Sequence, residues 1–162
     1  MWKKVPVLLA IVVILFPGVA FGGLYDYDPE FNAWLLLFPG EVNLGLPQRH
    51  PSGGDYWETR SPLNIAFQCL RFRRGWQVSI NGGDFKSGNH TIRRQEMEWR
   101  VSPGNYESMK PAGQEVILAR SQDYPGYEWG LFYFMLNFRM LLDEWAPAGE
   151  YSSEMRVTFF CW

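Results

Sequence analysis

The chain has 162 residues and a formal net charge of −2, and it is 47% hydrophobic, 17% aromatic and 20% charged. That length allows one domain with a sizeable core, and that hydrophobic content excludes a chain too polar to fold. With no basic surplus, there is no charge-based case for nucleic acid or an anionic lipid surface as a partner.

The first element, Met1 to Gly22, reads as a secretory signal peptide. Lys3 and Lys4 make a positive start, Val5 to Phe16 is an uncharged apolar run, and Pro17-Gly18 breaks it before Ala20, Gly22 and Gly23. Cleavage after Ala20 or Gly22 satisfies the small-residue requirement of such signals. The alternative is a membrane anchor, but a spanning helix needs about 20 apolar residues and this run is shorter. No Cys lies near the cleavage region, so a lipid-modified protein is not supported. Lys3 and Lys4 are the only charged residues before Gly23, so removing them takes the net charge from −2 to −4. The expected location is extracytoplasmic: secreted, periplasmic or at the cell surface, with membrane contact only through the signal peptide before cleavage. Residues 23–162 are expected to form a single domain, in which 23–40 is either an N-terminal extension or the first strand.

Turn signals punctuate the rest, among them Pro39-Gly40, Asn81-Gly82-Gly83, Ser87-Gly88-Asn89, Pro103-Gly104, Pro125-Gly126 and Pro147-Ala148-Gly149. Gly supplies positive φ and Pro presets φ at such turns. The runs between them have strand character. Residues 33–38 and 41–46 read as a first, broken strand, followed by 63–72, 75–80, 97–101, 115–119, 130–142 and 151–162. Trp76, Val78 and Ile80 share one face, opposite Gln77 and Ser79. Residues 130–142 are apolar on both faces at first; a helix is the alternative, and the aromatic content favours a strand. Residues 95–100 read equally as a short helical turn. On the last run the outward set is Ser152, Glu154, Arg156 and Thr158, then Phe160 and Trp162. About seven short strands at this spacing predict a sandwich or barrel. The expected fold is all-β, an immunoglobulin-like antiparallel β-sandwich.

Two cysteines, Cys69 and Cys161, remain after export, and an exported protein with an even count invites a disulfide. Leu63, Ile65, Phe67 and Cys69 share one strand face, and Met155, Val157, Phe159 and Cys161 share another, so each Cys points with its apolar neighbours. Closing a loop of roughly 90 residues contributes about 4–5 kcal/mol in the chain-entropy model. The alternative is two buried thiols.

Catalytic chemistry is hard to assemble from these residues. The two histidines, His50 and His90, sit in turn-like contexts, no Gly-x-Ser-x-Gly elbow is present, and both cysteines lie in apolar strands. There is no phosphate-binding Gly-rich loop followed by Lys-Ser/Thr. Asp143-Glu144 and Asp26/Asp28 are carboxylate pairs of the kind a glycosidase needs, but they read better as solvated loop charges. Asp26, Asp28 and Glu30 lack the spacing of an EF-hand loop, and neither His lies at a metal-ligand spacing from a Cys. The expectation is therefore no enzyme, no cofactor and no metal. Arg71, Arg73, Arg74 and Arg93 read as a solvated strand end, with a binding patch as the alternative. Asn89-His90-Thr91 fits the glycosylation acceptor pattern.

Three stretches carry a resemblance to bacterial exported β-sandwich surface proteins of the spore coat protein U, pilin-like and Trp-x-Leu surface domain types. Glu41-Val-Asn-Leu-Gly45 precedes a Gly/Pro-rich loop and the strand Pro62-Leu-Asn-Ile-Ala-Phe67. Gly75-Trp-Gln-Val-Ser-Ile80 leads into Asp84-Phe-Lys-Ser-Gly-Asn89, similar to the Trp-led strand of the Trp-x-Leu type. Pro147-Ala-Gly-Glu-Tyr-Ser152 leads into Met155-Arg-Val-Thr-Phe159, which resembles the final strand of the coat protein U type. The resemblance implies a sandwich that acts by assembling or binding rather than by catalysis.

The leading expectation is an exported structural or interaction subunit that assembles with other protein subunits, its own kind or related ones, by strand addition. Residues 31–38 would be an extended apolar arm, and Phe160 and Trp162 break the polar face of the last strand. Trp34, Leu36, Phe38, Phe160 and Trp162 are thus the candidate partner interface. The alternative is that 34–38 is the first strand of its own sandwich and Trp162 packs under a loop. A second expectation is a carbohydrate-binding module in which Trp57 and Trp129 stack on a glycan, although such aromatics are more often core. A hydrolase is the third.

Overall fold

A computed structural model describes residues 23–30, 32–45, 48–49, 55–70, 75–125, 130–142 and 149–162. The expected signal segment 1–22 lies outside them, as do Phe31, His50, Arg71, Arg73, Arg74, Trp129, Asp143 and Glu144.

The described residues form β1 (Leu24–Asp28), β2 (Ala33–Phe38), β3 (Gln48–Arg49), β4 (Asp55–Glu58), β5 (Leu63–Cys69), β6 (Trp76–Gly82) and β7 (Phe85–Ser87). They continue with β8 (His90–Ile92), β9 (Met97–Val101), β10 (Glu107–Ser108), β11 (Val116–Arg120), β12 (Gly130–Leu142) and β13 (Met155–Cys161). The protein is mostly β, as expected, and every sheet is antiparallel. The large sheet runs β1-β2-β5-β12-β4-β3, with β9 also on β12 and β10 on β9; the small sheet runs β11-β6-β13, and β7 pairs with β8 and, at Lys86, bridges to Ser152. Strand β12 is the spine of the large sheet. Its first half pairs with β5, and its second half with β9 and β4.

Alternation explains where the core sits. Leu63, Ile65, Phe67 and Cys69 of β5 are all buried, while Asn64, Ala66 and Gln68 face out. From the small sheet, Trp76, Val78 and Ile80 are buried against them. The two sheets meet through aromatic rings: Phe67 lies 4.9 Å from Trp76 and 4.7 Å from Phe159, and Phe132 lies 4.5 Å from Trp76, centroid to centroid. Edge-to-face and tilted pairs of this kind add to the stabilisation from burial itself.

Several expectations change. The strand expected at 41–46 does not form over 41–45. Asn43 Oδ1 accepts the Gly45 N–H at 2.6 Å and Gly45 takes φ 75°, which turns the chain out of an extended path. Residues 130–142 are a strand, not a helix. The region around residue 95 divides: Arg94–Glu96 is a single 3₁₀ turn, and β9 starts at Met97. Segment 33–38 is not a free arm, because β2 is hydrogen-bonded on both edges, to β1 and to β5. Strand β1 itself was not anticipated.

One buried cation holds the end of the small sheet. Arg94 is 0% exposed. Its guanidinium donates to the carbonyls of Gln114 (2.9 Å), Ile80 (3.3 Å) and Gly82 (3.4 Å) and to Asn81 Oδ1 (3.3 Å), and its own N–H goes to Asp84 Oδ1 (2.9 Å). A buried charge is tolerated when most of its donors are satisfied, and here both terminal nitrogens are bonded while Nε has no partner. Here the acceptors tie the end of β6 to the start of β11. Burial lowers the Arg94 pKa, with Asp84 opposing that shift.

Candidate functional site

The outer face of the large sheet carries an uncharged, largely apolar surface assembled from β1, β2, β5 and the first half of β12. Strand register sets it out in rows. Tyr27, Trp34, Gln68 and Leu131 lie side by side, then Tyr25, Leu36, Ala66 and Tyr133, then Phe38, Asn64 and Met135. Directly opposed residues share a face, so none of these positions brings a charge to it. The side chains are not hidden: Tyr133 is 60% exposed, Leu131 57%, Tyr25 54% and Tyr27 46%. Contiguous exposed apolar patches on soluble proteins are uncommon and mark binding sites.

Hydrogen bonds fix the aromatic rings on this face. The Tyr133 hydroxyl donates to Asn64 Oδ1 at 2.5 Å. Asn64 stands opposite Met135, not Tyr133, so the phenol reaches along the diagonal and leans over the sheet. The Asn64 amide is held in turn, donating to the carbonyls of Phe38 (2.9 Å) and Pro62 (3.2 Å). Trp34 Nε1 donates to Gln68 Oε1 across the β2–β5 pair at 3.3 Å. Tyr27 Oη donates at 3.1 Å to Asn32 Oδ1 in the β1–β2 turn, where Asn32 takes φ 47°. Asn accepts the left-handed region more readily than most residues.

The other half of the same outer face is charged and closed on itself. Arg100 and Arg139 stack on the Tyr106 ring at 4.4 and 4.1 Å from its centroid. Glu58 accepts from the Tyr106 hydroxyl and from Arg100, and Glu98 accepts from Arg139. Burial and then the Glu58 bond push the Tyr106 pKa up. Cation–π contacts and ion pairs here partner one another, so the boundary between the two halves falls along β12, between Met135 and Arg139.

The candidate residues named from sequence are not brought together. Trp34, Leu36 and Phe38 lie on the outer face of the large sheet. Phe160 and Trp162 stack on each other at 5.6 Å at the end of β13, in the other sheet. Trp162 exchanges both backbone hydrogen bonds with Gly75, and its ring lies over Gly75, where an added Cβ would sit 2.7 Å from Trp162 Cζ2. Trp57 pairs with Met140 on the inward side and packs against the core. There it lines a cleft of about 1550 Å³ together with Leu37, Leu63, Ile80, Met155 and Val157. Trp129 lies outside the described residues.

Cys69 and Cys161 do point into the core from opposite sheets, and they meet. Both are buried, and no disulfide joins them in this structure. Burial first, then the hydrogen bond its S–H makes to Cys69, pushes the Cys161 thiol up to about 12. The expected disulfide is therefore not formed, and the two residues stand as neighbouring thiols. Asn89, the acceptor of the glycosylation pattern, is exposed in the turn between β7 and β8.

The residues missed by sequence reasoning are Tyr25, Tyr27, Asn64, Gln68 and Tyr133. For Asn64, Gln68 and Tyr133 the signal is strand parity, since each lies on the face opposite the core set of its own strand; Tyr25 and Tyr27 lie on a wholly exposed strand that carries no such signal. Compared with known proteins, the chain matches no family model, no curated protein and no solved structure.

Proposed function

We propose that this chain is an exported interaction domain, an immunoglobulin-like antiparallel sandwich that works outside the cytoplasm by docking through the outer face of its large sheet. The observation that carries this reading is the uncharged four-strand surface around Leu36, Ala66 and Tyr133, left open while the rest of the same face closes its charges on itself. The test is co-sedimentation of the purified exported protein with the cell-envelope fraction. Leu131→Lys places a charge on this uncharged face, at its β12 corner beside Gln68 and at a position that is 57% exposed. It should abolish co-sedimentation and leave the thermal midpoint unchanged. Equal sedimentation of variant and wild type would rule the reading out.

A second reading, assembly by strand addition, is favoured by β13. Its only strand partner among the described residues is β6. The paired bonds between Trp162 and Gly75 set the phase of this ladder, so Phe160, Thr158 and Arg156 face β6. The N–H groups of Phe159 and Val157 then point outward, beside half-buried Met155 and Val157 at the cleft. An incoming strand would pair there, with β13 as the acceptor. Val157→Pro removes an outward N–H and no ladder bond; it should leave the monomer folded and block assembly, and assembly that survives it would exclude this edge.

A further inference from the structure

We propose that the outer face binds a neutral polysaccharide chain, laid across Tyr25, Tyr27, Trp34 and Tyr133 with Gln68 and Asn64 between them. The inference rests on reading this face as the docking surface, and it names the partner's chemistry. Four observations lead to it. First, the exposed aromatics here are tyrosines, beside half-buried Trp34, and Tyr and Trp present a flat apolar body and a polar edge. The CH face of a sugar ring is apolar and its rim is polar, so it matches that surface in kind. Second, three of the four rings are tied by their polar tips: Tyr133 to Asn64, Trp34 to Gln68 and Tyr27 to Asn32. A ring held down by its tip shows its face rather than its edge, and ordering it in advance lowers the entropic cost of binding. Third, no Lys, Arg, Asp or Glu occupies the rows. The face therefore offers nothing to an acidic glycan, a phosphate or a charged peptide. Fourth, four strands about 4.8 Å apart and three rows about 6.8 Å apart span about 400 Å² in plan. That is a functional-patch size, and about half of the ~800 Å² per partner in a standard protein interface. It suits a chain of a few sugars better than a second copy of this domain.

The test is affinity electrophoresis of the purified exported protein in gels containing neutral polysaccharides (a soluble cellulose derivative, glycol chitin, β-glucan, mannan and starch), beside an acidic one, alginate. Retardation by at least one neutral polymer is expected. Tyr133→Ala and Tyr25→Ala, both at positions more than half exposed, should each weaken it about tenfold. Leu24→Ala serves as control: Leu24 is 60% exposed and adjacent to Tyr25, but it lies on the opposite side of β1. It should run as wild type. Retardation that survives both tyrosine variants, or retardation by alginate alone, would overturn the proposal. Absence of retardation with a dimer in sedimentation velocity that Leu131→Lys converts to monomer would also overturn it, while leaving the docking reading in place. Absence of retardation, of dimerisation and of envelope binding would remove both.

Discussion

The Cys161 thiol on the small sheet is in hydrogen-bond contact with Cys69 on the large sheet, so the two sheets meet at a pair of sulfurs. Oxidised glutathione should close this pair, with loss of both thiols to Ellman's reagent and no intermolecular species. By chain entropy the bond contributes about 4–5 kcal/mol, a rise in thermal midpoint on the order of 10 °C that reductant reverses. A midpoint indifferent to reductant would show that the sulfurs do not bond.

The reduced protein should lose stability in alkali. Cys161 is pushed up to about 12 in the folded state, above the ordinary thiol value near 9. The unfolded chain releases that proton first, so the stabilisation is complete below about pH 9 and disappears as pH rises towards 12. The Tyr106 shift has the same sign but is common to both redox forms. Urea midpoints across this window should therefore fall more steeply for the reduced protein than for the oxidised one, and parallel curves would contradict the assignment.

Arg94→Met should cost about 2–4 kcal/mol, because the carbonyls of Ile80, Gly82 and Gln114 lose their donor inside the protein. Arg94→Lys should recover less than half of that, since one ammonium cannot reach acceptors that the two arms of the guanidinium divide between them. Chemical denaturation measures both.

Gly75→Ala should cost about 1–3 kcal/mol and shift tryptophan emission. The new Cβ would lie 2.7 Å from Trp162 Cζ2 and 3.1 Å from Ser121 Oγ, so the indole must move. Unchanged emission and stability would mean that Trp162 does not pack on Gly75.

Tyr133→Phe keeps the ring and removes its tie to Asn64. Stability should fall by about 0.5–1.5 kcal/mol. Any ligand held by this face should bind a fewfold more weakly, less than the loss on Tyr133→Ala, because only the pre-ordering is gone. Equal losses for Phe and Ala would assign the effect to the hydroxyl itself.

Much of the inner side was legible in the sequence and little of the outer side. Strands β5, β9 and β12 were found because their alternation, or their aromatic and β-branched content, marks a strand wherever it lies. Strand β1 was missed because it is an edge: Leu24 to Asp28 are all exposed, and a strand with no buried face has no apolar phase to read. The outer face needs more than parity. Tyr25, Leu36, Ala66 and Tyr133 become neighbours only through three long-range registers, and no one-dimensional pattern states which strands lie side by side. Arg94 was illegible for a different reason: its acceptors are mainly backbone carbonyls, which every sequence supplies. The cysteine phases, by contrast, read correctly because each Cys closes an alternating run.

The pairing of β12 has a kinetic side. Gly130 to Leu136 meet Cys69 to Leu63, and the remainder of the strand meets β4 and β9, so its nearest strand partner is separated from it by dozens of residues and its furthest by more than 70. Such non-local ladders place a β protein among the slow folders, in milliseconds to seconds. Until those ladders close, Leu131-Phe-Tyr-Phe-Met-Leu136 is a solvated, uncharged run of strand formers, the composition most prone to pair with another copy of itself. A polypeptide with this segment late to find its place is a natural client for a holding chaperone, and its folding yield should fall steeply with concentration.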